Sequence, residues 1–231
     1  MSKYIGNELE IFENAHSWKS YFGSFIMPLL GKRVAEIGAG IGSTTIALCD
    51  GKQDLWVCVE PDAALLNEVK NKLKKGLIPG YCRTFLGYLS ELHEKFDSIL
   101  YIDVIEHIEN DWSELEQASK NLEKGGRLFI IVPAHQSLYS SFDKQIGHYR
   151  RYDRAALRSI IPDSLTIEKL LYLDSAGYIA SLVNKLFLKQ SLPTLKQVKF
   201  WDRIIVPCSK ITDWLLGYHF GKSILLVAIK K

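Results

Sequence analysis

Val34-Ala35-Glu36-Ile37-Gly38-Ala39-Gly40-Ile41-Gly42-Ser43-Thr44-Thr45 is the stretch that decides the fold of this 231-residue chain. A short apolar run carrying one carboxylate passes into three glycines at alternate positions. Such a run reads as a buried strand of a parallel sheet. Glycines directly after it allow a tight turn and a close approach of backbone to a ligand. Thr44 to Cys49 then opens a helix whose free N–H groups face that turn. The pattern reads as a nucleotide-type pocket at a strand end or, without a ligand, as a plain strand-to-helix turn. The dinucleotide fingerprint is G-x-G-x-x-G. Here the third glycine arrives one residue early, at Gly42, and Ser43 fills the dinucleotide position. A carboxylate on the rim of the turn, Glu36, repels a pyrophosphate and attracts a cation. No Gly-Lys-Ser/Thr follows, which disfavours a phosphate-binding loop. The expected ligand therefore combines a nucleoside with a positive group.

Two further strand ends extend the pattern. Trp56-Val57-Cys58-Val59-Glu60-Pro61-Asp62 is another apolar strand closing on a carboxylate. Glu60 lies about 20 residues beyond the glycine loop, where a nucleotide fold places an acceptor for ribose hydroxyls. Its bland alternative is a carboxylate at the start of the next helix. Phe96 to Ile102 reads as a third strand, followed by the polar turn Asp103-Val104-Ile105-Glu106-His107. Open α/β sheets bind ligands at these carboxyl ends.

Together Glu36-x-Gly38-x-Gly40-x-Gly42, Glu60 and Asp103-Val-Ile-Glu106-His107 resemble the class I S-adenosylmethionine-dependent methyltransferases. Gly125-Gly126-Arg127-Leu128-Phe129-Ile130-Ile131-Val132-Pro133 is similar to the strand that follows in that family. The likeness is greatest to bacterial members with a Gly-His-Tyr-Arg-Arg-Tyr segment, Gly147 to Tyr152 here, that act on small molecules or glycans. The resemblance implies a Rossmann-like sheet of seven mostly parallel strands with helices on both faces and the last strand antiparallel. It also implies adenosylmethionine as cofactor and adenosylhomocysteine as product. By that resemblance Glu36 and the loop Gly38, Ala39, Gly40 and Gly42 face the methionine moiety. Glu60 holds the ribose hydroxyls, Tyr88 borders the adenine, and Asp103 lies near the methionine or the reacting centre. Pro61 and Val104 also meet the cofactor, and His107 borders it or caps the following helix rather than acting as a base. The family often has a carboxylate near the adenine amino group. Thr84 to Leu89 offers none, and Tyr88 and Leu89 read equally well as core.

Composition fits a single domain over residues 1–231 with 47% hydrophobic residues. Cys49, Cys58, Cys82 and Cys208 are scattered, without metal-ligand spacing, so a reduced, cytoplasmic protein is expected. Met1 to Asn14 is too polar for a signal peptide, and no apolar run reaches the roughly 18 residues of a membrane span. Strands are expected near 33–38, 55–60, 81–86, 97–102, 127–132, 164–173 and 223–229. Helices are expected near 43–49, 62–74, 112–123 and 153–161, after an aromatic helical lead-in over 14–30. Between the last two strands, about 176–220 forms a long helical insertion in which Pro207 kinks or splits a helix. It is expected to cap the acceptor pocket, the alternatives being a structural appendage or, through 198–216, a helix on a membrane surface.

Charge is uneven. Residues 1–140 hold 14 Lys and Arg against 19 Asp and Glu; residues 141–231 hold 15 against 7. The basic half suits an anionic small-molecule acceptor, sugar-containing or lipid-linked, or else forms a solvated surface. No nucleic-acid module appears. Methyl transfer to an alcohol needs a base, and histidine titrates in the right range. His148 leads because it lies among arginines; His135, after the fifth strand, is second. Arg150, Arg151 and Tyr152 are expected to bind substrate, or, with His148, to tie their loop to the sheet. Arg151 pairs with Asp153 or Asp143. No metal site is implied by the spacing. Catalysis of O-methylation on a small acceptor is expected; a non-catalytic cofactor-binding protein is the rival class.

Overall fold

A computed structural model describes residues 8–183 and 193–231. Seven strands form one sheet in the order β3-β2-β1-β4-β5-β7-β6. They are β1 (Arg33–Ile37), β2 (Leu55–Glu60), β3 (Cys82–Leu86), β4 (Phe96–Ile102), β5 (Leu122–Pro133), β6 (Leu165–Leu173) and β7 (Ser223–Lys230). β7 is antiparallel to both of its neighbours, and the pairs from β3 to β5 are parallel. The expected fold class is observed.

The central strands are buried on both faces, which is why they read as apolar runs. Alternate residues feed two cores. Ala35, Ile37, Val57 and Val59 pack on the side of α5 (Asp111–Asn121) and α7 (Arg154–Ser159), with Leu115, Ala118 and Leu157. Val34, Trp56 and Cys58 pack on the side of α2 (His16–Ile26) and α3 (Ser43–Leu48). Helix starts follow their caps. Asp62 accepts from Ala64 N and Leu65 N to open α4 (Ala63–Lys74), and Asn110 accepts from Ser113 N to open α5.

The lead-in divides into α1 (Glu8–Phe12) and α2. α2 lacks a capping side chain of its own. Asp202, distant in sequence, supplies the cap by accepting from Ser17 N (3.0 Å) and Trp18 N (2.8 Å). Asp202 lies in the insertion, which comprises α8 (Ser175–Val183), α9 (Leu195–Phe200), a π-helical turn at Trp201–Ile205 and α10 (Val206–Leu215). The part of the apolar segment 177–188 beyond Val183 lies outside the described residues. Pro207 occupies the first turn of α10, where its missing N–H is tolerated, directly after the π-helical turn, so the helical run is divided where a split was expected. Two more buried carboxylates fasten the insertion. Asp213 accepts from Tyr21 Oη (2.8 Å), Asp174 N (2.7 Å) and Ser175 N (2.8 Å). Asp174 accepts from Trp201 Nε1 (2.7 Å) and Ser209 Oγ (2.6 Å).

β1 and β4 are neighbours, but the chain leaves β1 toward β2 and β3 before returning to β4. Their following loops diverge and leave a crevice at the carboxyl ends, the position where such sheets bind ligands.

Candidate functional site

That crevice opens into a cavity of about 1470 Å³. It exceeds the roughly 300–1,000 Å³ of a single-ligand pocket, so it has room for two molecules side by side. One end is formed by strand termini. Gly38, Ala39 and Gly40 follow β1, Glu60 and Pro61 follow β2, and Asp103, Val104, Glu106 and His107 follow β4. Gly38 adopts φ +65°, and a Cβ there would lie 2.6 Å from Val104 Cγ2, so only glycine lets the two loops meet. Glu60 braces the turn: Oε2 accepts from Gly40 N (2.8 Å) and Oε1 from Asp62 N (3.0 Å). Burial raises the Glu60 carboxyl's pKa. Tyr88 lines the same end and is 52% exposed, whereas Leu89 is fully buried core. Asp103 has φ +54° and opens its side chain to the cavity while protein surrounds it. Desolvation raises its pKa to about 6, against the pull of His148 and Lys222.

Glu36 is a correction. Strand alternation turns it away from the cavity, into the core beneath the loop. Its Oε2 accepts from Thr45 Oγ1 (2.6 Å) and Trp56 Nε1 (2.8 Å), so it joins β1, β2 and α3. Desolvation lifts its pKa to about 7. Gly42 also lies outside the lining; at φ +79° it caps α3 against Ile78 and Val69.

The opposite wall comes from the segment after β5, where α6 (Ser141–Gln145) leads into Gly147 to Tyr152. Tyr149 N donates to Glu106 O (2.8 Å), which zips this segment to the turn after β4. His148 is thereby set against His107, ring centroids 4.5 Å apart and planes at 83°. His148 Nδ1 lies 2.9 Å from Asp143 Oδ1, and its Nε2 lies 3.8 Å from Glu106 Oε1. Arg151 grips Asp143 with two bonds, of 2.7 and 3.0 Å, which resolves its pairing in favour of Asp143. Burial pushes the Asp143 carboxyl up, but the bonds from His148 and Arg151 outweigh it and hold the group far below the usual carboxylate range. Glu106 is driven well above that range by burial, with Asp103 adding repulsion. Burial and neighbouring His148 lower the His107 pKa to about 4.

Three other expected residues lie elsewhere. Arg150 Nη1 donates to Asp111 Oδ2 (2.5 Å), and Tyr152 Oη donates to the same oxygen (2.7 Å). Both brace the start of α5 and neither lines the cavity. His135, at φ +64°, stacks on Tyr172 with centroids 5.1 Å apart, and its Nε2 lies 2.9 Å from Gly221 O. It too is outside the cavity, its ring held among Tyr172, Tyr178 and Phe220. Of the basic segment, His148, Tyr149 and Arg151 remain at the site.

α1, α2 and the insertion supply a further wall of the cavity, with Leu9 of α1 lying against Gly40 of the glycine loop. Leu9, Phe12, Trp18, Val198, Phe200 and Trp201 give it an apolar lining. Lys19 of α2 is a buried cation in the cavity lining and carries no signal in the sequence. Its Nζ donates to Phe12 O (2.8 Å) and Glu13 O (3.1 Å), and burial lowers its pKa to about 8.

Residues 35–128 match the family model of a methyltransferase domain. A curated relative, the mitochondrial ubiquinone biosynthesis O-methyltransferase of Dictyostelium discoideum, is 25% identical over 142 residues. The alignment covers 55% of this chain and 42% of that protein, so the chain spans less than half of the relative's length. Magnesium protoporphyrin IX methyltransferase from Synechocystis PCC 6803, solved with adenosylhomocysteine, superimposes at TM-score 0.62 with 16% identity over 100% of this chain and 90% of that one. Geranyl diphosphate methyltransferase, solved with adenosylmethionine, gives 0.63 at 13% identity over 91% and 84%. The [4+2]-cyclase SpnF gives 0.62 at 12% identity over 91% and 80%. The cyclase shows that the fold alone does not fix the reaction. The comparisons show a methyltransferase-domain match over residues 35–128 and a fold shared with these structures.

Proposed function

We propose that the chain transfers a methyl group from adenosylmethionine to a hydroxyl oxygen of a largely apolar acceptor. One observation carries this reading: a single cavity combines acidic groups at the strand ends with an apolar wall from α1, α2 and the insertion. Glu60 and Asp103 suit a ligand with ribose hydroxyls and cationic sulfonium and ammonium groups. The apolar wall suits a hydrophobic acceptor body. Lys19, Arg151 and Lys222 border the cavity, but each is engaged by protein acceptors. That weakens the case for a strongly anionic or sugar-rich acceptor. The curated relative's name, an O-methyltransferase, favours oxygen as the atom methylated.

Displacement at the sulfonium carbon is direct, so the protein's main contribution is to align the two reactants. His148, oriented by Asp143 and set in the cavity wall, is the residue that activates the hydroxyl. The test is methyl transfer from labelled adenosylmethionine to a panel of alkyl-substituted phenols and sugar phosphates. Transfer to the phenols, with turnover reduced at least ~100-fold in His148→Ala, is expected. Transfer to the sugar phosphates alone would overturn the apolar assignment.

A second reading, an acceptor presented at a membrane surface, is favoured by the outer face of the insertion. Ile204, Ile211, Trp214, Leu215 and Leu216 are exposed there, with Arg203 and Lys210 also exposed among them. An apolar face with interspersed cations suits an anionic interface. Among the described residues, no helix is long and apolar enough to cross a membrane. Flotation with anionic vesicles, lost in Trp214→Glu, is the expected result; no association of the wild type would exclude this reading.

A further inference from the structure

We propose that Glu106, His107 and His148 form a binding site for a divalent transition-metal ion in the cavity wall. The donor atoms of the three residues lie within 4.8 Å of one another, and all three residues line the cavity. Glu106 supplies the decisive observation. It is 0% exposed, yet neither of its carboxylate oxygens has a hydrogen-bond partner among the described residues. A buried carboxylate left unpaired is costly, and native structures rarely keep one without a compensating ligand. His148 Nε2 is 3.8 Å from Oε1, too long for a hydrogen bond, and the residue's own backbone N–H offsets only part of the burial cost.

The surroundings orient the donors as metal sites require. His148 binds Asp143 through Nδ1, which aims Nε2 at Glu106. Asp143 is itself fixed by Arg151 and by Ser140 N and Oγ. A carboxylate behind a ligating imidazole is the usual outer-shell arrangement. His107 hydrogen-bonds the Gly147 backbone, which fixes the second ring. An ion with bonds of about 2.1 Å holds tetrahedral donors roughly 3.4 Å apart, so modest side-chain rotation closes the cluster around it. Two imidazoles with one carboxylate select Zn²⁺, Mn²⁺, Fe²⁺ or Co²⁺ over Ca²⁺ or Mg²⁺. The three protein ligands leave a coordination position facing the cavity, open to an oxygen of the acceptor; with the ion bound, His148 Nε2 is a ligand, and the ion rather than the free imidazole lowers the pKa of the acceptor hydroxyl. That last role rests on the methyl-transfer reading; the binding of the ion does not.

The full chain, stripped by chelator and dialysed, is titrated calorimetrically with Zn²⁺, Mn²⁺ and Mg²⁺ in the absence of cofactor. One Zn²⁺ or Mn²⁺ per chain is expected, bound at least tenfold more weakly by Glu106→Gln and His107→Ala. Asp143→Asn should weaken binding by about 10–100-fold. Circular dichroism and melting temperature verify that each variant is folded. X-ray absorption of the Co²⁺-loaded wild type needs no variant, and should show two imidazoles with oxygen donors. No saturable binding of a transition metal, unchanged affinity in folded Glu106→Gln and His107→Ala, or a Co²⁺ site with sulfur or a single imidazole would each overturn the proposal. A chain that binds the ion but not adenosylhomocysteine would overturn the methyltransferase reading alone. The reverse result would overturn the metal site alone.

Discussion

Replacing Glu36 by Gln should stabilise the protein at neutral and alkaline pH, although it removes a charge. Glu36 is buried beneath the glycine loop, where Thr45 and Trp56 donate to one oxygen. Desolvation opposes ionisation more strongly than those two bonds favour it, so the pKa rises from 4.5 to about 7. The folded state therefore holds this proton more tightly than the unfolded chain does. Stability from this group is greatest below about 4.5 and declines as pH rises through about 7. At ~1.4 kcal/mol per pKa unit, the decline amounts to about 3 kcal/mol. Gln has the shape and charge of the protonated carboxyl and keeps an acceptor for both donors. The variant should match the wild type near pH 4.5 and exceed it by up to about 3 kcal/mol at pH 8. Urea denaturation of both proteins at several pH values gives the difference directly, since other titrating groups cancel. A difference that does not change with pH, or a variant less stable at pH 8, would show that the buried carboxyl does not titrate between the folded and unfolded states in this way.

Other perturbations test the cavity. Gly38→Ala places a Cβ 2.6 Å from Val104 Cγ2 at φ +65°; a stability loss of about 1–3 kcal/mol and weakened adenosylhomocysteine binding are expected by thermal melting and calorimetry, and a neutral result would remove the close approach of the two loops. Glu60→Ala should weaken cofactor binding at least tenfold, about 1.4 kcal/mol, and unchanged affinity would reject its ribose role. Asp143→Ala strands the guanidinium of Arg151 and frees His148; a loss of about 3–5 kcal/mol is expected in denaturant melts, and a change below ~1 kcal/mol would show that the pair is weak.

Much of the fold was legible because the central strands are buried on both faces, so β1, β2 and β4 stand out as apolar runs between capped helices. The start of β5 was not. Glu123, Lys124, Gly125 and Gly126 look like a loop, but the strand already pairs at Leu122, and a register shift opposite Phe96 to Ser98 follows. The insertion reads from sequence as a cap on the pocket, an appendage or a membrane-surface helix, and none of these readings gives its acids a role. Asp202 and Asp213 instead point inward, onto backbone N–H groups and a phenol that lie far away in sequence. No local pattern contains that information. At the site, the glycine loop and the acidic strand ends were legible from spacing. The direction of Glu36 was available from strand alternation, with Thr45 and Trp56 as its donors. Arg150 and Tyr152 share the face of an extended segment that meets Asp111, while Arg151 faces the cavity. Spacing alone does not say which face is which. The meeting of His148 with Glu106 and His107 depends on the backbone bond from Tyr149 to Glu106, a tertiary contact.

Adenosylmethionine is expected to bind where Glu60 and Asp103 meet the glycine loop. Calorimetric titration of the full chain with adenosylmethionine, adenosylhomocysteine and NAD tests this binding most directly. One equivalent of each sulfur compound should bind, NAD should not, and Glu60→Ala should weaken the first two together. Binding of NAD alone, or of none of the three, would exclude adenosylmethionine as the ligand of this cavity.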